Sequence, residues 1–263
     1  MFAQKVSDKK IKSIDFNSDL AQGFGIYKND IEFDFLNYVS SVNISAGLHS
    51  GDPLTINKAL LAAKEKNVVI GVNIGFNDLQ GFGLRAMELS PEEIESLVIY
   101  QIGAIDALAK SNSLEIEYVR PHGAMYKMAA ENFEFSRSIA KAIKKYSKWL
   151  SYVGFANDIL DRVEQDVEIT TVRELLLEKN YMADKSIDYE KEDITDINAM
   201  RLRFQKYMTY SQITDINGNY QEIKADTIHF ATNEVSLELV KSLSEIYPPL
   251  PVNYLKAQAS GWV

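Results

Sequence analysis

Asp15-Phe16-Asn17-Ser18-Asp19-Leu20-Ala21-Gln22-Gly23-Phe24-Gly25 opens as an alternation and closes in glycines. In extended backbone, side chains two apart share a face. Asp15, Asn17 and Asp19 would then look one way while Phe16 and Ser18 look the other. Polar groups turned into a sheet interior need partners, and a ligand or metal is one way to supply them. Three further runs of the same character follow. They are Asn43-Ile44-Ser45-Ala46-Gly47-Leu48-His49-Ser50-Gly51-Asp52-Pro53, then Gly71-Val72-Asn73-Ile74-Gly75-Phe76-Asn77-Asp78-Leu79-Gln80-Gly81-Phe82-Gly83, then Arg120-Pro121-His122-Gly123-Ala124-Met125-Tyr126.

Each run ends a β-rich stretch. Strands are expected over Lys12–Asn17, Tyr38–Ser45, Val68–Asn73, Glu115–Val119, Leu150–Phe155, Val167–Thr171 and Thr227–Phe230. Helical patterns lie between them at about Pro53–Lys66, Ser90–Asn112, Met125–Tyr146, Asn157–Gln165, Asp193–Tyr207 and Glu234–Ile246. Ser90-Pro91-Glu92-Glu93 is a strong helix start: a Ser cap, Pro at the first position, then acids at the positive end of the dipole. Strand–helix alternation at this period points to βαβ units and a parallel sheet. The fold class expected is α/β, a distorted seven-stranded (β/α) barrel, with an open doubly wound sheet as the alternative. Gly23-Phe24-Gly25 lacks the third glycine and the acid of a dinucleotide fingerprint. In a barrel, the four polar runs converge at the carboxyl ends of the strands, where such folds place their sites.

One domain spanning 1–263 suits the length. Tyr181–Asp193 reads as a charged loop, and Asn217-Gly218-Asn219 as a hairpin turn. The prolines of Tyr247-Pro248-Pro249-Leu250-Pro251 make 247–263 an irregular tail that wraps the surface. Apolar residues are 46% and charged residues 25%, ordinary for a globular chain. Cysteine is absent, which removes disulfides, thiolate ligands and a thiol nucleophile and fits a reducing cytoplasm. No apolar run reaches membrane length, and Met1–Phe16 has no signal-peptide core. The formal charge, 28 − 37 = −9, repels phosphate backbones, so no nucleic-acid partner is expected.

Singly, each polar residue has a plainer explanation. Asp19 could cap a turn, Asn43 could satisfy its own backbone, and Asp52 before Pro53 could cap a helix. A lone His is more often structural than catalytic. Together on one face, they make a candidate site.

The four runs, in order and spacing, resemble the LamB/YcsF family. Asp15 to Gly25, Asn43 to Pro53, Gly71 to Gly83 and Arg120 to Tyr126 meet its signatures, the last almost letter for letter; Glu174 and Ala225-Asp226-Thr227-Ile228 fit further on. The resemblance implies a barrel related to glycoside hydrolases and polysaccharide deacetylases. It implies the A subunit of a three-part, ATP-dependent 5-oxoprolinase that opens the 5-oxoproline lactam to L-glutamate. Its partners would be the two other subunits, and ATP would be used with them. Phosphorylating the poorly electrophilic lactam oxygen would create a leaving group for water to displace. Such a site needs a proton-transfer group and donors for a developing oxyanion. The catalytic set carried over is Asp15, Asp19, His49 and His122, with Asp19 or Asp15 as base. The substrate-binding set is Asn17, Asn43, Asn73, Arg85, Arg120 and Tyr126.

The chain also departs from the family. Asn73 stands where the family has His, Ile74 replaces its Pro, Gln22 its Glu, and Ala231-Thr232-Asn233 its His-Gly-Asp; the family cysteines are Ser18 and Ala46. These swaps roughly keep shape while removing titratable groups. The alternative reading is a non-catalytic family member that binds a lactam or a partner subunit. A metal-dependent deacetylase, resting on fold analogy alone, ranks last. No metal is expected, since His favours transition metals more than Asn73 or Ala231 can. His229, on the strand face of Ala231, is expected to be a buried structural His that could partly replace the missing one.

Overall fold

The computed structural model describes residues 13–252. The expectations for Met1–Lys12, and for the tail from 253 to 263, lie outside the described residues. The strands are β1 (Asp15–Leu20), β2 (Ser41–Ser45), β3 (Val69–Ile74), β4 (Tyr118–Pro121), β5 (Ser151–Phe155), β6 (Thr171–Leu176), β7 (Gln212–Thr214), β8 (Tyr220–Glu222) and β9 (Thr227–Phe230). β1 to β6 and β9 close into a parallel barrel, and β7–β8 is a separate antiparallel hairpin. β1 pairs on both edges: Asn17 lies opposite Ser41 of β2 and opposite His229 of β9. That closure rules out the open sheet.

The helices are α1 (Pro53–Lys66), α2 (Pro91–Ser111), α3 (Gly123–Glu131), α4 (Phe133–Tyr146), α5 (Asp158–Val167), α6 (Ile197–Tyr210) and α7 (Glu234–Ser244). The start of α2 is a full capping box: the Ser90 hydroxyl accepts from the Glu93 N–H (3.2 Å), and the Glu93 carboxylate accepts from the Ser90 N–H (2.7 Å). Asp52 caps α1 through the N–H groups of Leu54 and Thr55, and also accepts from Gly25 N. Its plainer explanation therefore holds. Outward-facing Phe16, Val42, Ile44, Ile70 and Val72 are buried in the layer between barrel and helices. Each such side chain contributes about 1.5–3 kcal/mol.

Three elements differ from expectation. The sixth strand is Thr171–Leu176, not Val167–Thr171. Val167 ends α5, and Glu168 turns the chain in a left-handed conformation (φ 54°). The real strand hides two charges: Arg173 pairs outward with Asp161 and Glu164, while Glu174 turns inward. The helix expected over Met125–Tyr146 breaks at Asn132, whose extended backbone and side chain cap α4 at Phe135 N (3.0 Å). A 3-10 turn over Asp30–Asn37 was not anticipated; it buries Glu32, which accepts from Gln22 N (2.8 Å). Residues 247–252, the described part of the tail, form no helix or strand. Leu250 N donates to Ile14 O, and Val252 packs on Tyr118, Val153 and Val172.

Candidate active site

Strand register fixes which side chains enter the barrel. Asp15, Asn17 and Asp19 of β1 share their face with Ser41, Asn43 and Ser45 of β2, and with Gly71 and Asn73 of β3. Tyr118 and Arg120 of β4, Glu174 of β6, and Thr227 and His229 of β9 complete it. The interior is thus polar along one side, and its groups sort by depth.

Asp15 lies toward the amino end. Its carboxylate accepts from Ser40 Oγ (2.7 Å), Ser41 Oγ (2.8 Å) and Thr227 Oγ1. Burial pushes Asp15 up to about 6, against the three hydroxyls that favour its charge. A carboxyl raised in the folded state contributes stability that is complete below its ordinary value of 3.8 and is lost as pH rises through about 6. Two pKa units are worth about 3 kcal/mol. Asp15→Asn, which keeps the neutral shape, should therefore gain up to about 3 kcal/mol on the native chain between about pH 4 and pH 7. Denaturant titrations at both pH values check this, and a constant difference would contradict it.

Above Asp15 lies an amide layer. Asn17 Nδ2 donates to Thr227 Oγ1 (2.7 Å) and Glu174 Oε1 (3.1 Å), and Asn17 Oδ1 meets Asn43 Nδ2 (2.8 Å) and His229 Nδ1 (2.9 Å). Asn43 Nδ2 also donates to Asp19 Oδ1 (3.0 Å), and Asn43 Oδ1 accepts from Tyr118 Oη (2.9 Å). Gly71 makes room for the Tyr118 ring, which an added Cβ would strike at 2.0 Å. Asn17 and Asn43 thus spend their amides on neighbouring side chains.

At the carboxyl end Arg120 is 5% exposed and grips Glu174, Nε to Oε1 at 2.9 Å and Nη2 to Oε2 at 2.8 Å. Its Nη1 stands 3.6 Å from Asp19 Oδ1. Burial would push Asp19 up, but Arg120, His229 and His122 outweigh it and hold the carboxyl well below the usual range. His122 Nε2 meets the Phe82 carbonyl at 2.9 Å, which can only accept, so that nitrogen carries hydrogen. The other ring nitrogen faces Asp19 Oδ2 at 3.6 Å. His49 stacks on His122 with ring centroids 4.3 Å apart, so the two histidines share one end of the barrel. Gly75 and Gly83 leave space for the His49 ring; a Cβ on Gly75 would lie 2.4 Å from its Nδ1. Among the described residues, both nitrogens of His49 and both amide atoms of Asn73 are buried without a hydrogen-bond partner.

These groups floor a cleft of about 810 Å³. Asp19, Arg120, His122, Tyr126 and His229 reach it directly. Asn17, Asn43, His49 and Asn73 are buried and absent from its lining, and Asp15 lies at the amino end of β1, so the single pocket expected for all seven β1–β4 residues is layered instead. Arg85 is turned to Asp78, Nε to Oδ1 at 2.9 Å, with its side chain 65% exposed outside the lining. Tyr126 packs under the Arg120 guanidinium at 4.8 Å. The sequence reading missed Glu178 and Lys127, both on the lining. Glu178 is half-buried, and burial pushes it up to about 7. A correctly placed β6 would have pointed to it, since it stands two residues past that strand. Among the described residues no cluster of three His, Cys, Asp or Glu is arranged to hold a metal, and no helix is long and apolar enough to cross a membrane.

Comparison with known proteins agrees with this geometry. Residues 14–247 match the LamB/YcsF family. The 5-oxoprolinase A subunit of Bacillus subtilis is 36% identical over 218 residues, covering 82% of this chain and 85% of that one. The 5-oxoprolinase A subunit of Campylobacter jejuni subsp. doylei is 33% identical over 236 residues, covering 88% and 92%. The crystal structure of the lactam utilization protein from Thermus thermophilus superposes with a TM-score of 0.82 at 30% identity, covering 89% and 97%.

Proposed function

The chain belongs to the LamB/YcsF family, and we propose that it is the lactam-handling subunit of an ATP-dependent 5-oxoprolinase. The observation that carries the reading is the cleft floor: ionised Asp19, the Arg120 cation and two histidine edges, open together at the carboxyl ends of the strands. Relatives named as the 5-oxoprolinase A subunit, over more than four fifths of both chains, support the substrate. In the proposed reaction the ring C–N bond breaks, the carbonyl carbon gains the oxygen of water, and the nitrogen gains a proton. Arg120 supplies positive charge where an oxyanion develops. Asp19, with a depressed pKa, is a weak base and acts by orienting His122 and balancing the Arg120 charge. Glu178, which carries a proton near neutrality, is the candidate to protonate the departing nitrogen.

ATP supplies the driving force, and its triphosphate would need several free cations or backbone N–H groups. In this cleft Arg120 is engaged by Glu174, Lys179 by Asp193, and Lys127 lies over the Tyr189 ring, so the nucleotide is assigned to the partner subunits. A cytoplasmic complex of three subunits follows from the same reading.

One observation favours a non-catalytic member instead. Asn73 holds a family histidine position with both amide atoms unpartnered among the described residues, a pocket fitted for a different side chain. A single assay separates the two readings. This chain mixed with the partner subunits of its own organism should release glutamate from 5-oxoproline, with ATP turnover, only when all components are present. No release by the native mixture, with release gained on Asn73→His plus Ala231→His, would reject the enzyme and favour the degenerate reading.

A further inference from the structure

The amide layer does more than fill the barrel, because it fixes the proton on one histidine. Asp19 and Glu174 are both held ionised and can only accept hydrogen bonds. Asn17 Nδ2 donates to Glu174 and Thr227, so its Oδ1 must be the acceptor toward both Asn43 Nδ2 and His229 Nδ1. Asn43 is set the same way: Nδ2 donates to Asp19, and Oδ1 receives Tyr118 Oη. His229 Nδ1 therefore carries hydrogen, and in the neutral ring Nε2 is the bare nitrogen. His229 lines the cleft, and among the described residues nothing hydrogen-bonds its Nε2. Ala231, two residues along the same face, adds only a methyl to that wall.

We infer that His229 is the proton acceptor of the cleft, taking a proton through Nε2 from the water that attacks the lactam carbonyl. The inference rests on the lactam-opening reading above. In the step, the O–H bond of water breaks as its oxygen bonds the carbonyl carbon, and the proton moves to Nε2. The imidazolium so formed lies near the Asp19 and Glu174 carboxylates, with the Arg120 cation opposing it. Burial, then Arg120, push His229 down to about 4, so the ring is neutral and its lone pair available at neutral pH. The arrangement parallels a base held in one tautomer by an orienting partner, with an amide in place of the usual carboxylate. It gives His229 a role beyond the structural one expected from the sequence. Asp19 is placed for a different role, since its carboxylate accepts from Asn43 and faces Arg120 and His122.

Two measurements test the assignment. The sequence has three histidines, so imidazole nitrogen NMR of the isolated chain can be assigned with H49N, H122N and H229N. His229 should be neutral at pH 7 with hydrogen on Nδ1. Hydrogen on Nε2, or an imidazolium at pH 7, would overturn the proposal. In the reconstituted complex, H229N keeps a donor to Asn17 while deleting Nε2. It should lower kcat about 10²–10⁴-fold with KM and thermal unfolding little changed, and should abolish the acidic limb of the kcat–pH profile. An active complex in which H229N retains native kcat rejects the role alone. A native complex that releases no glutamate rejects the reaction, and the role with it, while the NMR still judges the tautomer.

Discussion

Arg120→Met should cost about 3–5 kcal/mol of folding stability, the loss expected when one member of a buried ion pair is removed. Arg120 is 5% exposed, and Glu174 is fully buried. The guanidinium makes three hydrogen bonds to Glu174 and stands 3.6 Å from Asp19. Methionine would leave two anions facing each other in the barrel with no cation between them. Arg120→Lys should recover only part of the loss, because an ammonium cannot reproduce the two-pronged contact. Adding Glu174→Gln to Arg120→Met should restore much of the stability, since it removes the stranded charge. Denaturant titration of the native chain, Arg120→Met, Glu174→Gln and the double variant measures the coupling; additive single effects would show that the pair does not act as a unit.

Asp19→Asn should leave the fold intact and reduce kcat/KM of the reconstituted complex by about 10²–10³-fold, the range for losing one preorganised electrostatic group. The amide can still accept from Asn43, so the layer beneath is kept. What disappears is the charge that faces Arg120 and His122. If Asp19 were instead the base, the acidic limb of the pH profile would vanish in Asp19→Asn and survive in H229N; with His229 as the base, the reverse is expected. Native kcat/KM in Asp19→Asn would remove the residue from the machinery.

Much of this was legible because β-strand periodicity is rigid. The alternation of Asp15, Asn17 and Asp19 with Phe16 and Ser18 gave the facing of β1, and the four glycine-rich runs gave the active end. Depth was not legible. Residues two apart share a face yet stand at different heights, so Asp15 is buried away from the cleft while Asp19 meets it. The sixth strand was misplaced because Arg173 and Glu174 look unlike strand residues until their distant partners are known. Glu174 is neutralised by Arg120, 54 positions earlier in the chain. Asn132 looked like one polar residue within a helical pattern, and only its extended backbone shows the break between α3 and α4. Arg85 stood in the expected substrate-binding set, but Asp78, seven residues before it, holds the guanidinium. The tautomer of His229 depends on Asn17, Asn43 and Thr227 at once, and no local pattern encodes it.

The central claim is that the lactam is opened in this cleft. A co-crystal structure of the assembled subunits with 5-oxoproline tests it most directly. The ring should lie over Asp19, Arg120 and His122, with its carbonyl carbon facing a water within hydrogen-bond reach of His229 Nε2. 5-Oxoproline bound wholly within a partner subunit, with this cleft filled by solvent alone, would contradict the account.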